Sequence, residues 1–167
     1  MHAQTKPQSQ DLLAADVRAE IDREVAKYPP ERKGAAVMAA LRIVQEKHVW
    51  LTPELIEAVA DYLEITPIRA MEVATFYGMY DLEPVGKHKI WVCTNISCML
   101  CGSDKVVSHL ENKLGIKIGE TTPDGKITLR EAECLGACVG APMMQVDKTF
   151  HENLTPALMD EILKGIK

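Results

Sequence analysis

Long apolar runs and a leader-like N-terminus are both absent from this chain of 167 residues. The longest uninterrupted apolar run covers residues 35–41, whereas a helix that spans a bilayer needs about 20 apolar residues. Residues 1–10 contain one lysine, no arginine and no apolar stretch, which argues against a secretory signal and against a mitochondrial transit peptide. We therefore expect a cytoplasmic protein that does not insert into a membrane.

Aromatic and basic residues are scarce as well. Two Trp, four Tyr and two Phe are the only aromatic residues, so the core has to be built from aliphatic side chains and methionine. Lys and Arg number 19 against 24 Asp and Glu, which gives a formal net charge of −5 at pH 7. This balance argues against a nucleic-acid partner, because such partners are held mainly by basic side chains that neutralise phosphates. With 47% hydrophobic residues, the chain has too much apolar content to be disordered throughout.

Cysteine is absent from the first 92 residues, and all five cysteines lie between positions 93 and 138. An odd number of cysteines in a chain with no export signal does not indicate a framework of disulfides. Thiols concentrated in one half of a sequence indicate instead a metal-binding or redox-active site in that half.

The half without cysteine has the apolar periodicity of helices. Residues 11–27 and 30–47 place apolar side chains every three or four positions, and Thr-Pro pairs begin two further helical segments at Thr52 and Thr66. Proline at the first helical position after an N-cap threonine is a common helix start. We expect residues 11–80 to form a helical bundle with Ile68 and Phe76 in its core, and residues 1–10 to be a disordered tail.

The half with the cysteines has a mixed pattern. Residues 81–88, which contain proline and glycine, are expected to be a linker. Beyond it, the pattern predicts strands at 89–93, 127–134 and 143–146, and helices at 103–114 and from Pro156 onwards. Ser103 is the expected N-cap of the first of these helices. Residues 89–167 thus predict a small β-α-β-β-α domain, and the whole chain is expected to have an α+β fold.

The cysteines form the pattern Cys93-x4-Cys98-x2-Cys101, followed after 32 intervening residues by Cys134-x3-Cys138. Four kinds of site are compatible with this spacing. A zinc site would use the close Cys98–Cys101 pair, and a dithiol oxidoreductase would use the same two thiols as a redox-active C-x-x-C. A plant-type ferredoxin cluster would use Cys93, Cys98, Cys101 and Cys134. A different [2Fe–2S] arrangement would use Cys93, Cys98, Cys134 and Cys138.

Coordination chemistry provides a rationale for the last arrangement. Two irons share two bridging sulfides, and each iron needs two thiolates to complete a tetrahedron. Cys93 and Cys98 lie at the end of one predicted strand, and Cys134 and Cys138 lie at the end of another. Gly136 allows the backbone to turn tightly, so that N–H groups can point at sulfur and offset its charge.

Five segments of the sequence, in this order, resemble one known family. They are residues 73–77 (VATFY), 84–87 (PVGK), 93–98 (C-x4-C), 119–125 (GETTPDG) and 133–138 (ECLGAC). The family is the thioredoxin-like [2Fe–2S] ferredoxin subunit of respiratory complex I, the NADH:quinone oxidoreductase. The resemblance implies a helical N-terminal domain followed by a thioredoxin-like α/β domain that carries a [2Fe–2S] cluster. The cluster ligands that it implies are Cys93, Cys98, Cys134 and Cys138.

The resemblance also implies a partner and a role. In this family the subunit docks on a flavin- and NADH-binding subunit, so FMN and NADH are expected on that partner, and the cluster is expected to exchange single electrons with its flavin. The assembly would be the peripheral arm of complex I, on the cytoplasmic side of the inner membrane. One alternative is the small [2Fe–2S] subunit of a soluble NAD-linked hydrogenase or formate dehydrogenase. A second alternative is the dithiol oxidoreductase that uses Cys98 and Cys101. Except in that last case, the chain is expected to supply no catalytic residue of its own.

Three expectations concern residues outside the ligand set. Cys101 matches no ligand position of the family, so its thiol is expected to be free. Pro142 stands where thioredoxin-like folds often carry a cis proline, which suggests the hypothesis that the peptide bond before it is cis. Candidates for a surface that docks the partner are the aromatic residues Phe76, Tyr77 and Tyr80, although core packing is the stronger expectation for Phe76.

Overall fold

The computed structural model describes residues 12–166, and the chain divides between Pro84 and Val85 into two compact units. The first unit is helical, and the second combines helices with a four-stranded sheet. The expected α+β fold class is therefore confirmed. The division falls inside residues 81–88, the predicted linker. The predicted tail of residues 1–10 lies outside the described residues.

The first unit is built around an aliphatic core. It consists of α1 (Ala15–Val25), a 3₁₀ helix (Pro30–Ala36), α2 (Val37–His48), α3 (Pro53–Tyr62) and α4 (Pro67–Phe76). Fully buried side chains in its core are those of Leu13, Ile21, Leu41, Leu51, Ile56 and Leu63. Helix α3 begins as predicted, because the Thr52 hydroxyl accepts the N–H of Leu55 at 3.3 Å.

The single helix predicted over residues 30–47 is wrong. The segment is divided into the 3₁₀ helix and α2, and Arg32 has dihedral angles that are not helical. The turn is shaped by a close approach of the backbone, since a Cβ added at Gly34 would lie 2.5 Å from Cγ2 of Ile65. Apolar periodicity does not record such a contact, because Ile65 is 31 positions away in the sequence.

The side of α4 that faces the core was also predicted wrongly. Ile68 and Phe76 are 64% and 80% exposed, so neither packs in the core. The buried residues of α4 are the small Ala70 and Ala74, which lie on the opposite side of the helix from Ile68 and let α4 approach its neighbours closely. Thr66 is the N-cap residue as expected, but its hydroxyl makes no capping hydrogen bond.

The second unit is a mixed sheet with helices. It consists of β1 (His88–Cys93), α5 (Ile96–Leu100), α6 (Ser103–Leu114), β2 (Ile127–Ala132), a second 3₁₀ helix (Cys138–Gly140), β3 (Met144–Val146), β4 (Thr149–His151) and α7 (Pro156–Gly165). The strand order is β2-β1-β3-β4, with β1 and β2 parallel and the other two pairs antiparallel. Its core includes Ile90, Val92, Leu110, Leu129 and Met144. Between residues 12 and 166, no helix has both the length and the apolar character that crossing a membrane requires.

The order β-α-β-β-α expected for this unit misses two short elements. Helix α5 has five residues and β4 has three, lengths over which apolar periodicity cannot be recognised. The N-cap of α6 is Gly102, whose φ of 91° suits glycine, and the predicted N-cap Ser103 is the first helical residue. His88 belongs to β1 and not to the linker, and β2 ends at Ala132.

The parallel pairing of β1 and β2 brings both cysteine-containing segments to one end of the sheet. Cys93, the last residue of β1, pairs with Ala132, the last residue of β2. The N–H of Thr94 donates to the carbonyl of Ala132 at 3.1 Å, so the two chains stay together one residue beyond β1. Residues 94–101 and residues 133–138 therefore leave the sheet at the same place.

Gly86 permits a close backbone approach just before β1. It is buried, its N–H donates to Oγ1 of Thr128 at 2.7 Å, and a Cβ added there would lie 2.9 Å from backbone atoms of Lys126 and Ile127. We expect Gly86→Ala to lower the free energy of unfolding by about 1–3 kcal/mol in urea denaturation, because backbone atoms cannot move aside as a flexible side chain can. The control is Gly165→Ala, at a glycine with open space around it, which should change that free energy by less than about 1 kcal/mol. Equal effects of the two substitutions would contradict this explanation.

Candidate metal centre

Four of the five cysteines lie close together where β1 and β2 end. The sulfur of Cys93 is within hydrogen-bonding reach of the thiols of Cys98 and Cys134. Cys138 is near enough to Cys98 to interact with it electrostatically. Cys93 and Cys98 are buried, whereas Cys134 and Cys138 are exposed. The structure thus brings the sequence-predicted site residues to one place, as a buried pair and an exposed pair.

Different local elements hold these four cysteines. Cys93 ends β1, and Cys98 lies inside α5 and not in an open loop as the sequence suggested. Cys134 follows β2 by two residues, and Cys138 begins the second 3₁₀ helix. Because the two segments start at paired strand ends, each contributes two thiols to the same region.

Backbone N–H groups point at two of the sulfurs. Burial acts to raise the pKa of the Cys93 thiol, but the N–H groups of Leu135 and Asn95 donate to its sulfur, and its pKa lies below the usual value. The N–H of Gly136 donates to the sulfur of Cys134 at 3.4 Å, from a residue whose φ of 80° favours glycine. Such donors stabilise negative charge on sulfur, which a thiolate ligand requires.

The environment of Cys98 is different. Burial raises the pKa of the Cys98 thiol to about 11, and the adjacent Cys93 sulfur raises it further, while a backbone hydrogen bond with Met143 opposes the shift. A thiol in this environment stays protonated near neutral pH unless a positive charge compensates for its burial. A bound metal supplies that charge and deprotonates a coordinating thiol. The donor set therefore fits a metal cluster.

A single metal ion matches this arrangement poorly. Among residues 12–166, no group of three or more His, Cys, Asp or Glu side chains is arranged to hold a metal ion. A binuclear cluster makes a smaller demand at each metal, since each iron takes only two protein thiolates. Two cysteines from each of two segments are able to meet that demand. The geometry thus disfavours the zinc alternative.

Cys101 differs from the other four cysteines. It is the exposed C-cap residue of α5, and its thiol is free. The thiols that interact with Cys98 are those of Cys93 and Cys138. Since thiol–disulfide exchange needs an accessible nucleophile, the burial of Cys98 disfavours the dithiol alternative.

The apolar wall of the site is formed by the segment before β3. Met143 is buried and packs against Cys93 and Cys98, and its carbonyl accepts the N–H of Cys93 at 3.2 Å. The Ala141–Pro142 peptide bond is cis, in agreement with the sequence-based hypothesis. Together these contacts cover the buried pair of cysteines on one side.

Two further residues at the site have no signal in the sequence. The hydroxyl of Thr94 donates to Oε1 of Glu131 at 2.6 Å, next to the paired strand ends. The two residues are 37 positions apart, and neither belongs to a recognisable motif, so only the structure reveals the contact.

Exposed apolar side chains flank the cysteine segments. Leu100 is 79% exposed and Val139 is fully exposed, and Ile96 and Met99 of α5 are exposed as well. Apolar side chains concentrated around one site are typical of a surface that a partner covers.

The aromatic docking candidates of the helical unit differ in exposure. Phe76 and Tyr77 are exposed and contact each other edge to face, with ring centroids 5.0 Å apart. Tyr80 is buried, and its hydroxyl donates to the carbonyl of Met38 at 2.8 Å. Tyr80 is therefore a core residue, and only Phe76 and Tyr77 are available at the surface.

Comparison with known sequences gives consistent matches over most of the chain. Residues 21–167 match the family described as thioredoxin-like [2Fe-2S] ferredoxin. The chain is 45% identical over 151 residues to a subunit of the NADH-quinone oxidoreductase of Rhizobium meliloti (strain 1021), an alignment that covers 90% of this chain and 89% of that protein. It is 47% identical over 141 residues to a subunit of the NADH-quinone oxidoreductase of Rickettsia prowazekii (strain Madrid E), covering 84% of this chain and 80% of that protein. The two relatives carry the same subunit letter, so they are counterparts of each other.

A solved structure with a similar fold is a chain of the NAD+-reducing [NiFe]-hydrogenase in the H2-reduced state. The TM-score is 0.68 with 19% sequence identity, and the similarity covers 78% of this chain and 22% of that chain. At this level of identity, the similarity establishes a common fold and no more.

Proposed function

The chain belongs to the thioredoxin-like [2Fe-2S] ferredoxin family, and on this basis we propose that it is the electron-transfer subunit of an NADH:quinone oxidoreductase. The observation that carries the proposal is the convergence of two buried and two exposed cysteines where β1 and β2 end. The choice of assembly is supported by relatives with 45% and 47% identity that are named as subunits of that oxidoreductase.

The group that the family implies is a [2Fe–2S] cluster, and we assign its ligands to Cys93, Cys98, Cys134 and Cys138. When bound, the cluster supplies a centre that takes up and releases one electron at a time. The assignment is supported by the contacts among the four sulfurs and by the N–H groups that point at them. Cys101 is left as a free thiol outside the set.

The other residues of the site control its polarity and exposure. Met143 packs against the buried cysteines and keeps water from that side. The N–H groups of Asn95, Leu135 and Gly136 offset the negative charge that four thiolates bring to the site. The exposed segment from Cys134 onwards leaves the opposite side open to an electron donor or acceptor.

We infer that the redox partner is a flavin- and NADH-binding subunit, which would hold FMN and NADH. The sequence of this chain has no Gly-rich phosphate-binding fingerprint, which supports binding of both nucleotides elsewhere. Leu100 and Val139 provide exposed apolar area beside the cysteines, where such a partner would have to approach. We propose a position in the peripheral arm on the cytoplasmic side of the inner membrane, because NADH is a cytoplasmic substrate.

The hydrogenase alternative has weaker support. Its solved relative shares the fold at 19% identity, whereas the relatives from NADH-quinone oxidoreductases are 45% and 47% identical over most of the chain. Both roles would use the same four ligands, so the two are separated by the polypeptides that co-purify with the chain. Co-purification with a hydrogenase large subunit, or with a formate dehydrogenase, would favour the alternative.

Iron and sulfide analysis of the purified protein tests the proposal directly. We expect two irons and two acid-labile sulfides per chain, because four thiolates in two pairs match one binuclear cluster. The visible absorption should bleach on addition of dithionite, and an electron paramagnetic resonance (EPR) signal should appear in the reduced state. The same protein treated with acid and a chelator is the control. Zinc in place of iron, or a spectrum that dithionite leaves unchanged, would overturn the proposal.

A further inference from the structure

Thr94 and Glu131 connect the two cysteine segments at the end of the sheet. The Thr94 hydroxyl donates to Oε1 of Glu131 at 2.6 Å, and the Thr94 N–H donates to the carbonyl of Ala132 at 3.1 Å. Both polar donors of the residue after Cys93 thus bind the end of the strand that leads to Cys134. Hydrogen bonds to an ionised carboxylate are about twice as strong as those between neutral groups, which suits a contact at an exposed position.

We propose that Thr94 and Glu131 are positioning residues for the cluster, because their hydrogen bond fixes the start of the Cys93 segment against the end of β2. The inference rests on the function proposed above, since it concerns the cluster of the same site. It assigns to this pair a role that the ligand set does not contain.

One peptide unit connects the hydrogen bond to a ligand sulfur. The peptide between Thr94 and Asn95 is planar, so the direction of its N–H follows from the conformation of Thr94. That N–H belongs to Asn95 and donates to the sulfur of Cys93. Loss of the Thr94 hydroxyl leaves this peptide less constrained and weakens its hydrogen bond to sulfur. Weaker donation offsets less thiolate charge and disfavours uptake of a further electron.

Thr94→Val is the main test, since valine keeps the shape of threonine and removes the hydroxyl. Thr94→Ser, which restores a hydroxyl, is the rescue variant. The matched control is Thr122→Val, because the Thr122 hydroxyl donates to Oδ1 of Asp124, also at 2.6 Å, in the turn that precedes β2. This control removes the same kind of hydrogen bond at the opposite end of the strand from the cysteines. All variants are made in the full chain and studied with the cluster bound.

Two measurements report on the cluster itself. EPR-monitored redox titration gives the ratio of reduced to oxidised cluster, and exposure to a chelator gives the rate of iron loss. We expect Thr94→Val to lower that ratio at least about twofold at a fixed potential and to accelerate iron loss about tenfold. Thr94→Ser and Thr122→Val should behave like the unmodified protein in both measurements.

A second variant tests the acceptor. Glu131→Leu should accelerate iron loss as Thr94→Val does, and Thr94→Val should have no further effect in the Glu131→Leu background, since the hydrogen bond is already absent there. This variant also serves if Thr94→Val does not accumulate as folded protein.

Three outcomes would overturn the inference. One is that Thr94→Val and Thr122→Val behave alike. Another is that Thr94→Val lowers thermal stability but leaves the redox ratio and iron loss unchanged, as a merely structural role would. The third is that the effects of Thr94→Val and Glu131→Leu are additive. Failure of the proposed function is a separate result, because the unmodified protein would then show no [2Fe–2S] spectrum.

Discussion

Cys138→Ala protein is expected to lose its visible colour and its reduced-state EPR signal, whereas Cys101→Ala protein keeps both. Cys138 is near Cys98 in the structure, and its removal would leave one iron with a single protein thiolate. Cys101 is the exposed C-cap residue of α5 and lies outside the assigned ligand set. Iron content, the absorption spectrum and EPR of the reduced protein are the measurements, made on both variants after identical purification.

This pair of variants distinguishes the two possible iron–sulfur arrangements. In a plant-type arrangement, Cys101 is a ligand and Cys138 is not, so the outcomes for the two variants would be exchanged. Each substitution removes one exposed thiol, so a general effect of losing a surface cysteine would appear in both. Retention of the full EPR signal by Cys138→Ala would disprove the assignment of Cys93, Cys98, Cys134 and Cys138.

Leu100→Asp and Val139→Asp are each expected to weaken binding to the flavin-binding partner by at least about 30-fold, or about 2 kcal/mol, without loss of the cluster. Both side chains are largely or fully exposed beside the cysteine segments, so aspartate is tolerated in the free protein. In the complex, the same carboxylate would be buried without a partner, which is costly. The measurement is the dissociation constant for the purified partner subunit, with EPR to verify that the cluster is intact.

Phe150→Asp provides the control for the docking prediction. Phe150 is an exposed apolar residue of the same unit, but it lies on the edge strand β4 and outside both cysteine segments. Its substitution should leave the affinity within a few-fold of the original value. If all three variants bind the partner equally well, the surface around the cysteines is not the docking surface.

Periodicity predicted the longer elements well, because each has enough turns to show an apolar face. Helix α6 was expected over residues 103–114 and spans Ser103–Leu114, with Val106 and Leu110 buried and Gly115 in the left-handed conformation at its end. The same reasoning failed for α5, which has a little more than one turn, and for β4, which has three residues. It also failed for Phe76, because an aromatic residue at the end of a helix carries no information about which neighbour it meets.

The candidate site was predictable in its ligands but not in its surroundings. The cysteines are recognisable because their spacing, the chemistry of two irons and the family resemblance all point to the same four residues. The contact between Thr94 and Glu131 depends on the register of β1 and β2, which sets residues 37 positions apart side by side. The N–H groups that point at sulfur depend on backbone direction and not on side-chain identity, so no sequence pattern marks them.

The unequal burial of the two cysteine pairs gives the site a vulnerable side. Cys93 and Cys98 are shielded by Met143, but Cys134 and Cys138 stand at the surface. Molecular oxygen and other oxidants would therefore attack a bound cluster through the segment that contains Cys134 and Cys138. A partner seated over Leu100 and Val139 would shield the same segment. Damage by air should accordingly be fastest in the unassembled subunit, and assembly would protect the cluster as well as supply it with electrons.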